Sequence, residues 1–190
     1  MIEDLDFETY LYISKNKFQI FVLNKKKLKN LYSQELKIDH QFDFKDLNIL
    51  LNFLDKNIYK IEKLIGNFIK NIILIVENEK NLKINMGIKK SYETSLKQKS
   101  FSSNLTELKD LFKKNYQDQT IMHMCIINYI IDGKRYSSFD TKLINDYFCI
   151  EVSFIAIDNK LVFAFDNVLE KYQIKIKQYM CGNYINNFVG

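Results

Sequence analysis

The sequence predicts a mixed α/β fold, and three observations lead to that prediction. Three strand-like segments rich in β-branched and aromatic residues open the chain. A long amphipathic helix follows them, and an almost continuous apolar strand lies at residues 120–134. With 190 residues, of which 47% are hydrophobic and 14% aromatic, the chain is long enough to bury one good core or two small ones.

The opening segments are residues 9–13 (TYLYI), 18–23 (FQIFVL) and 28–38 (LKNLYSQELKI). A short polar turn, Ser14-Lys15-Asn16-Lys17, separates the first two segments, which predicts an antiparallel three-stranded start. Apolar residues then recur at helical spacing over residues 44–68, with Asp43 as the predicted helix cap. Residues 72–76 (IILIV) are predicted to form a buried strand that pairs in parallel with the first hairpin. The order βββαβ is typical of an actin-like, ribonuclease-H-type half-domain.

The second half begins with a half-buried strand at residues 82–88, followed by a polar boundary or loop at residues 89–103. Asn104, with Glu107 three residues later, predicts the cap of a short helix. The apolar run at residues 120–134 predicts a central strand that is buried on both faces and is not at an edge of its sheet. The prediction is completed by a strand at residues 147–157, a helix from about Lys160 to Tyr172 that Asn159 or Asp158 caps, a strand at residues 172–179 and a last helix from Asn183.

Composition excludes several classes of function. The net charge is +5, but the lysines are scattered among carboxylates and apolar residues, so we interpret them as a solvated surface rather than a nucleic-acid interface. The run Lys25-Lys26-Lys27 is interpreted as a hairpin turn, with a contact to acidic lipid headgroups as the alternative. Three widely spaced cysteines without a metal-ligand pattern indicate a reduced, cytosolic compartment. The chain has no signal-peptide pattern and no apolar window of membrane-spanning length, so we expect it to be soluble.

A family resemblance rests on the strand at residues 120–134. His123 followed by Tyr129-Ile130-Ile131-Asp132-Gly133 is similar to a strand motif in the inserted domain of FtsA, the bacterial actin homologue of cell division. The order of elements after Leu82 also resembles that inserted strand-helix-strand-strand (SHS2) domain. The resemblance implies an actin-like core over residues 1–80, an SHS2-type insertion over residues 81–171 and a return to the core over residues 172–190. The competing arrangement is one continuous sheet that holds the strands at both Ile72 and Ile121.

The same resemblance implies a non-catalytic docking module for the cell-division machinery (the divisome). Its partners would be other cell-division proteins or a second copy of the chain, without nucleic acid and without direct membrane insertion. It implies a cytoplasmic location, with recruitment to the cytoplasmic face of the inner membrane at the division site as an option. The surfaces to test are residues 104–116 and 134–146. The candidate partner-binding residues on those surfaces are Leu108, Phe112, Tyr116, Lys134, Arg135 and Tyr136. The alternatives are an RNA- or polymerase-associated SHS2 module and an actin-like protein of pilus assembly.

No cofactor is expected, because the turn that resembles the family's first phosphate loop departs from its pattern. Ser14, Lys15, Asn16 and Lys17 replace that loop without the glycine that lets backbone amides approach a phosphate. The chain also lacks a carboxylate there to organise magnesium. The resemblance places the second phosphate loop, the adenosine pocket and a membrane helix beyond Gly190. We therefore expect neither useful ATP binding nor hydrolysis, with Lys15 and Lys17 offering at most a weak attraction to phosphate.

Other candidate sites have simpler structural explanations. His123 is interpreted as a hydrogen-bonded residue of a buried strand rather than a catalytic base. Asp132 is explained by its turn, and Asp140 and Asp146 by loop solubility, rather than by metal binding. The aromatic residues Tyr129, Tyr136, Tyr147 and Phe148 are expected in a core or interface rather than as a stacking platform for nucleic acid. Cys125 and Cys149 are interpreted as small apolar strand residues.

Overall fold

A computed structural model describes residues 6–39, 42–44, 46–91, 98–139 and 147–189. In chain order the elements are β1 Phe7–Ile13, β2 Lys17–Asn24, β3 Lys29–Lys37, α1 Asn48–Ile65, β4 Asn71–Val76, β5 Leu82–Ser91, α2 Gln98–Asn115, β6 Gln119–Ile131, β7 Lys134–Tyr136, β8 Tyr147–Asp158, α3 Asn159–Glu170, β9 Lys175–Cys181 and α4 Gly182–Val189. The mixed α/β prediction is confirmed. The chain divides into two compact units, unit 1 (Met1–Lys80 with Lys160–Gly190) and unit 2 (Asn81–Asn159).

Unit 1 is built on a five-stranded sheet with the strand order β3-β2-β1-β4-β9. β1 pairs antiparallel with β2, as the short turn between them predicts. β1 also pairs in parallel with β4, and β4 in parallel with β9. The parallel pairing of the fourth strand was predicted from the helix that precedes it, because a crossover connection is needed to bring a strand back in the same direction. The order βββαβ is therefore confirmed as the opening of this unit.

Helix α1 packs one face into unit 1 and begins later than predicted. Its buried residues are Leu50, Phe53, Leu54, Asn57, Ile58, Ile61 and Ile65, and it ends at Gly66 in the left-handed conformation. Leu47 stands at the N-cap position without a side-chain cap, so the prediction that Asp43 caps the helix is wrong. The Asp43 carbonyl instead accepts a turn hydrogen bond from Asp46 N at 3.0 Å. The neighbouring Phe42 and Phe44 pack against Phe18 and Phe165, and this aromatic packing holds the segment outside the helix.

Unit 2 is built on a separate four-stranded sheet with the order β5-β8-β6-β7. The strands at Ile72 and Ile121 therefore lie in different sheets, which excludes the arrangement with one continuous sheet. β8 lies inside the sheet, paired antiparallel along its length with both β5 and β6. Helix α2 packs on one face of this sheet, where the Phe112 ring stacks on Phe154 with centroids 4.7 Å apart.

Strand β6 lies inside its sheet, as predicted, but it is less buried than its hydrophobicity predicts. Its only neighbour besides β8 is β7, which pairs with Tyr129, Ile130 and Ile131 alone among the described residues. Only Met122 and Ile131 of β6 are buried, and Ile126 and Ile127 are 38% and 41% exposed. The register against β8 shifts at two β-bulges, between Ile121 and His123 and between Ile126 and Asn128. The position inside the sheet is therefore confirmed, although β7 pairs with only three residues of β6, and the burial on both faces is wrong.

The start of α2 and the domain to which α3 belongs also differ from the prediction. α2 begins at Gln98, so Asn104 lies inside the helix rather than at its cap, with its side chain buried. α3 belongs to unit 1 from Lys160 onward, whereas the family resemblance places residues 160–171 in the inserted domain. Buried Phe165 of α3 packs edge-on against Phe44, and this contact explains why the helix groups with unit 1.

Candidate functional site

The carboxyl ends of the parallel strands in unit 1 form the first place to look for a site. In open α/β sheets, ligands bind at this edge of the sheet. Here β1 ends at Ile13, β4 at Val76 and β9 at Cys181, and these strands are neighbours in the sheet. The turn Ser14–Lys17, residues Glu77 to Glu79 and the start of α4 therefore meet at one edge, which we call the carboxyl edge.

The turn from Ser14 to Lys17 is closed by the side chain of Ser14. The Ser14 Oγ accepts hydrogen bonds from the backbone amides of Asn16, at 3.3 Å, and of Lys17, at 3.1 Å. The same hydroxyl donates to the Lys17 carbonyl at 3.2 Å, and the Ser14 amide donates to that carbonyl at 2.9 Å. A phosphate-binding turn needs its amides free and pointing at the ligand. In this turn those of Ser14, Asn16 and Lys17 are already used.

The two lysines of the turn are also engaged. Lys15 Nζ lies 2.9 Å from Glu79 Oε2, and this hydrogen bond, with the lysine charge, lowers the pKa of the Glu79 carboxyl. Lys17 Nζ lies 3.2 Å from Glu35 Oε2 and 5.3 Å from the centroid of the Tyr12 ring. The weak attraction of a phosphate to Lys15 and Lys17 must therefore compete with carboxylates of the chain itself.

Glu77 fills the next part of the carboxyl edge. Its amide donates to the Ile13 carbonyl at 2.8 Å, and its carboxylate accepts a hydrogen bond from the Tyr12 hydroxyl. The start of α4 approaches it closely, since a Cβ added to Gly182 would lie 2.9 Å from Glu77 Cβ. Any larger residue at Gly182 would clash with Glu77. Glycine is thus required at this position by space rather than by backbone conformation.

Two carboxylates, those of Glu77 and Glu79, lie at the carboxyl edge beside the turn that holds Lys15 and Lys17. Glu77 and Glu79 place negative charge where an anionic ligand of this fold would need donors. The prediction from sequence did not include these two residues. Their position directly after a buried parallel strand is the signal that would have identified them. No cluster of three or more His, Cys, Asp or Glu side chains that would suit a metal ion occurs in the described part of the chain.

The predicted partner-binding residues divide into two groups. Leu108 and Phe112 are 1% and 0% exposed and belong to the core of unit 2, and half-buried Tyr116 packs against the same core. Leu108 and Phe112 therefore cannot contact a partner on the folded surface, and that part of the prediction is wrong because both face the sheet. Lys134 and Arg135 are exposed and Tyr136 is partly exposed on the β6–β7 hairpin.

The β6–β7 hairpin has a defined geometry. Asp132 and Gly133 both have positive φ, 47° and 84°, the combination found in tight hairpin turns. The Asp132 carboxylate accepts a hydrogen bond from Tyr147 N at 2.9 Å, which supports the interpretation of Asp132 as a turn residue. Arg135 Nη2 lies 3.8 Å from Glu151 Oε1. The candidates Asp140 and Asp146 lie outside the described residues.

The remaining candidates take structural roles. His123 is partly buried, and burial lowers its pKa, which favours the neutral ring. Phe148 is buried in the core of unit 2, and Tyr129 packs on Phe139, whose ring contacts Phe148. Tyr136 packs on the same core, and Lys89 Nζ lies 3.7 Å from the centroid of the Tyr147 ring. These aromatic residues therefore do not form one exposed stacking platform.

No protein-family model matches the chain. No curated protein matches it in sequence. Among solved structures, the chain is similar to one described as a PilM-PilN type IV pilus biogenesis complex, with a TM-score of 0.62 at 6% identity over 95% of this chain and 49% of that chain. Two more are the cytoplasmic domain of EpsL from Vibrio cholerae (TM-score 0.44, 8% identity, 92% and 57% covered) and a Bacteroides thetaiotaomicron protein with an actin-like ATPase fold and unknown function (TM-score 0.35, 17% identity, 98% and 56% covered).

The chain spans about half the length of the solved chains it matches. Identities this low show the fold alone, and only the similarity to the PilM-PilN structure is close enough to carry an argument. No described helix has both the length and the apolar character needed to cross a membrane. The mixed α/β fold is therefore confirmed, and this chain shares it with the PilM-PilN structure.

Proposed function

We propose that this chain is a non-catalytic, actin-like docking protein that binds other proteins instead of turning over ATP. The closed turn at Ser14 is the observation that carries the proposal. The Ser14 hydroxyl accepts hydrogen bonds from the amides of Asn16 and Lys17. The carboxylates of Glu77 and Glu79 bind the neighbouring side chains of Tyr12 and Lys15. In an actin-like fold, a carboxyl edge that is filled by the chain's own side chains does not bind a nucleotide. The fold can then serve as a scaffold for other proteins.

The partner system follows from two separate observations. The motif at His123 and residues 129–133 resembles FtsA, which favours docking to cell-division proteins. The similarity to a structure described as a pilus biogenesis complex of two proteins favours the second candidate, a scaffold of pilus assembly. Both candidates place the chain in the cytoplasm, with recruitment to the inner membrane through a partner.

ATP binding is the first test. We expect isothermal titration of the chain with MgATP to give no binding heat up to millimolar nucleotide. The Ser14→Gly variant serves as a comparison, because it removes the hydroxyl that closes the turn. Magnesium-dependent binding with a micromolar dissociation constant in the unmodified chain would overturn the non-catalytic proposal.

The second test separates the two partner systems. A two-hybrid panel would pair the chain with cell-division proteins in one arm and with pilus and secretion assembly proteins in the other. A reproducible signal confined to one arm identifies the system. The absence of a two-hybrid signal in both arms would contradict a docking role, provided that full-length actin-like homologues give a signal in the same panel.

A further inference from the structure

A groove beside the C-terminal end of α1 is a feature that the carboxyl edge does not use. The groove has a volume of about 560 Å³ and lies between the end of α1 and the segment that follows α3. Buried Ile58 and Ile69 lie along it, and two aromatic side chains, Tyr59 and Phe68, line it while remaining 71% and 75% exposed. Two large exposed aromatic residues on one groove are unusual for a surface with no binding role.

The groove is held in shape by local hydrogen bonds. α1 stops at Gly66 with φ 68°, and the Asn67 side chain accepts from Phe68 N at 3.0 Å. The Glu62 carboxylate accepts from Ile69 N at 3.1 Å. On the opposite side, the Tyr172 hydroxyl donates to Asp55 Oδ1 at 2.6 Å. The exposed Phe68 therefore sits on a fixed turn, which lowers the entropy lost on binding.

The charges around the groove select a type of ligand. Its two carboxylates, Asp55 and Glu62, already accept hydrogen bonds from the chain. Lys70 and Lys171 line the groove, and Lys63 lines the adjoining hollow that shares Phe68. None of these three ammonium groups has an ion-pair partner within the described ranges. The unpaired charge is thus positive, and it complements carboxylates.

We propose that this groove binds a short segment of a partner protein in which an apolar anchor side chain is flanked by acidic residues. The anchor would pack between Tyr59 and Phe68, and its acidic neighbours would reach Lys63, Lys70 and Lys171. A peptide is favoured over an anionic membrane because Asp55 and Glu62 line the groove, and insertion into lipid would remove water from both carboxylates. This inference rests on the proposed docking function and states the chemistry of one partner segment.

The test uses a phage library of random 12-residue peptides selected on the full chain. The selection is repeated on the Phe68→Ala variant, and synthetic versions of the enriched peptides are then titrated into both proteins. We expect enriched peptides to carry an aromatic or leucine anchor with Asp or Glu nearby, and to bind Phe68→Ala at least tenfold more weakly. Amide shifts in the labelled chain should centre on Tyr59, Phe68 and Lys171. The matched control is Phe163→Ala, because Phe163 is 68% exposed on α3 and lies outside the groove.

Several outcomes would overturn the proposal. These are failure to enrich any peptide, enrichment of basic peptides, and equal weakening by Phe68→Ala and Phe163→Ala. Co-sedimentation with phosphatidylglycerol vesicles that Phe68→Ala abolishes, without peptide binding, would assign the groove to a membrane instead. None of these results depends on the ATP titration, so the groove assignment can fail while the non-catalytic docking proposal stands.

Discussion

Strands β6 and β8 are similar in length and in hydrophobicity, yet they occupy different places in the same sheet. β8 pairs on both sides, and Phe148, Ile150, Val152 and Phe154 are at most 1% exposed. Among the described residues, β6 pairs along its full length with β8 but over only three residues with β7, and Ile126 and Ile127 remain more than a third exposed. The comparison teaches that an apolar run identifies a strand but does not identify its neighbours.

A matched pair of isoleucine substitutions would test this comparison most strongly. We expect Ile150→Ala in β8 to lower the free energy of unfolding of unit 2 by about 2–5 kcal/mol, because the residue is fully buried in its core. Ile127→Ala in β6 should cost less than about 1 kcal/mol, since Ile127 is 41% exposed. Amide hydrogen exchange across unit 2 in the full chain would measure both values. Equal costs would mean that β6 is as buried as β8.

The turn between β6 and β7 should show the next largest effect on stability. Gly133 has φ 84°, a conformation that costs an L-residue with a side chain about 1–2 kcal/mol. We therefore expect Gly133→Ala to destabilise the β6–β7 pairing by that amount, seen as faster exchange of the amides of residues 129–136. Lys134→Ala, at the exposed next position, is the control and should change little. An unchanged exchange rate in Gly133→Ala would show that the turn is not fixed.

The thiol of Cys149 allows a chemical test of burial in β8. Burial, with a smaller contribution from Glu151, raises the pKa of the Cys149 thiol in β8 above its usual 9.0. We expect iodoacetamide to alkylate Cys149 with a pH midpoint above 9, because only the thiolate reacts. Because the folded-state pKa is raised, any stability from this thiol is present below pH 9 and is lost as pH rises through the folded-state value. Peptide mass spectrometry, with Cys149→Ser as the blank, would follow the reaction. A midpoint at or below 9 would contradict the burial of this side chain.

The smallest effect is expected at the ion pair that joins the hairpin to β8. Arg135 Nη2 is 3.8 Å from Glu151 Oε1, and the arginine side chain is 70% exposed. Because such a pair is screened by water, Arg135→Ala should change the unfolding free energy by no more than about 0.5 kcal/mol. The Asn128 amide also donates to Glu151 at 3.0 Å, and Asn128→Ala provides the comparison on β6. A loss above about 1 kcal/mol in Arg135→Ala would show that the hairpin is held more tightly than its exposure indicates.

The predictions that succeeded rest on periodicity. The alternation in β5 and the helical spacing in α1 each reflect one face turned toward a core, and such a face is visible in sequence. The prediction that β6 is buried on both faces failed for a specific reason. Two of its consecutive apolar pairs, Ile121-Met122 and Ile126-Ile127, fall at the two bulges, where two successive residues oppose one partner residue. The extra apolar residue at each bulge was therefore interpreted as a residue buried on the second face of the strand.

The site was harder to predict than the fold because its contacts join distant parts of the chain. The missing glycine of the phosphate turn was visible in the sequence, but the role of Ser14 as the acceptor for that turn was not. Glu77 and Glu79 reach Tyr12 and Lys15 only through the parallel pairing of β1 with β4. Leu108 and Phe112 were predicted to bind a partner because the family resemblance implies a docking surface at residues 104–116. Their helical spacing shows an apolar face but does not show what covers it.

The two bulges of β6 also have a consequence for how the protein behaves at high concentration. Gln119–Ile131 contains no Asp, Glu, Lys or Arg, so the charges that usually keep an edge strand from joining another chain are absent. Each bulge bends the strand and interrupts its regular hydrogen-bonding row, which leaves only His123–Ile126 straight between them. Bulges are one of the devices that make an exposed strand edge a poorer template for another chain, as charged side chains also do. We expect a variant that deletes Ile127 to have a longer flat edge and to form fibrils more readily than the unmodified chain.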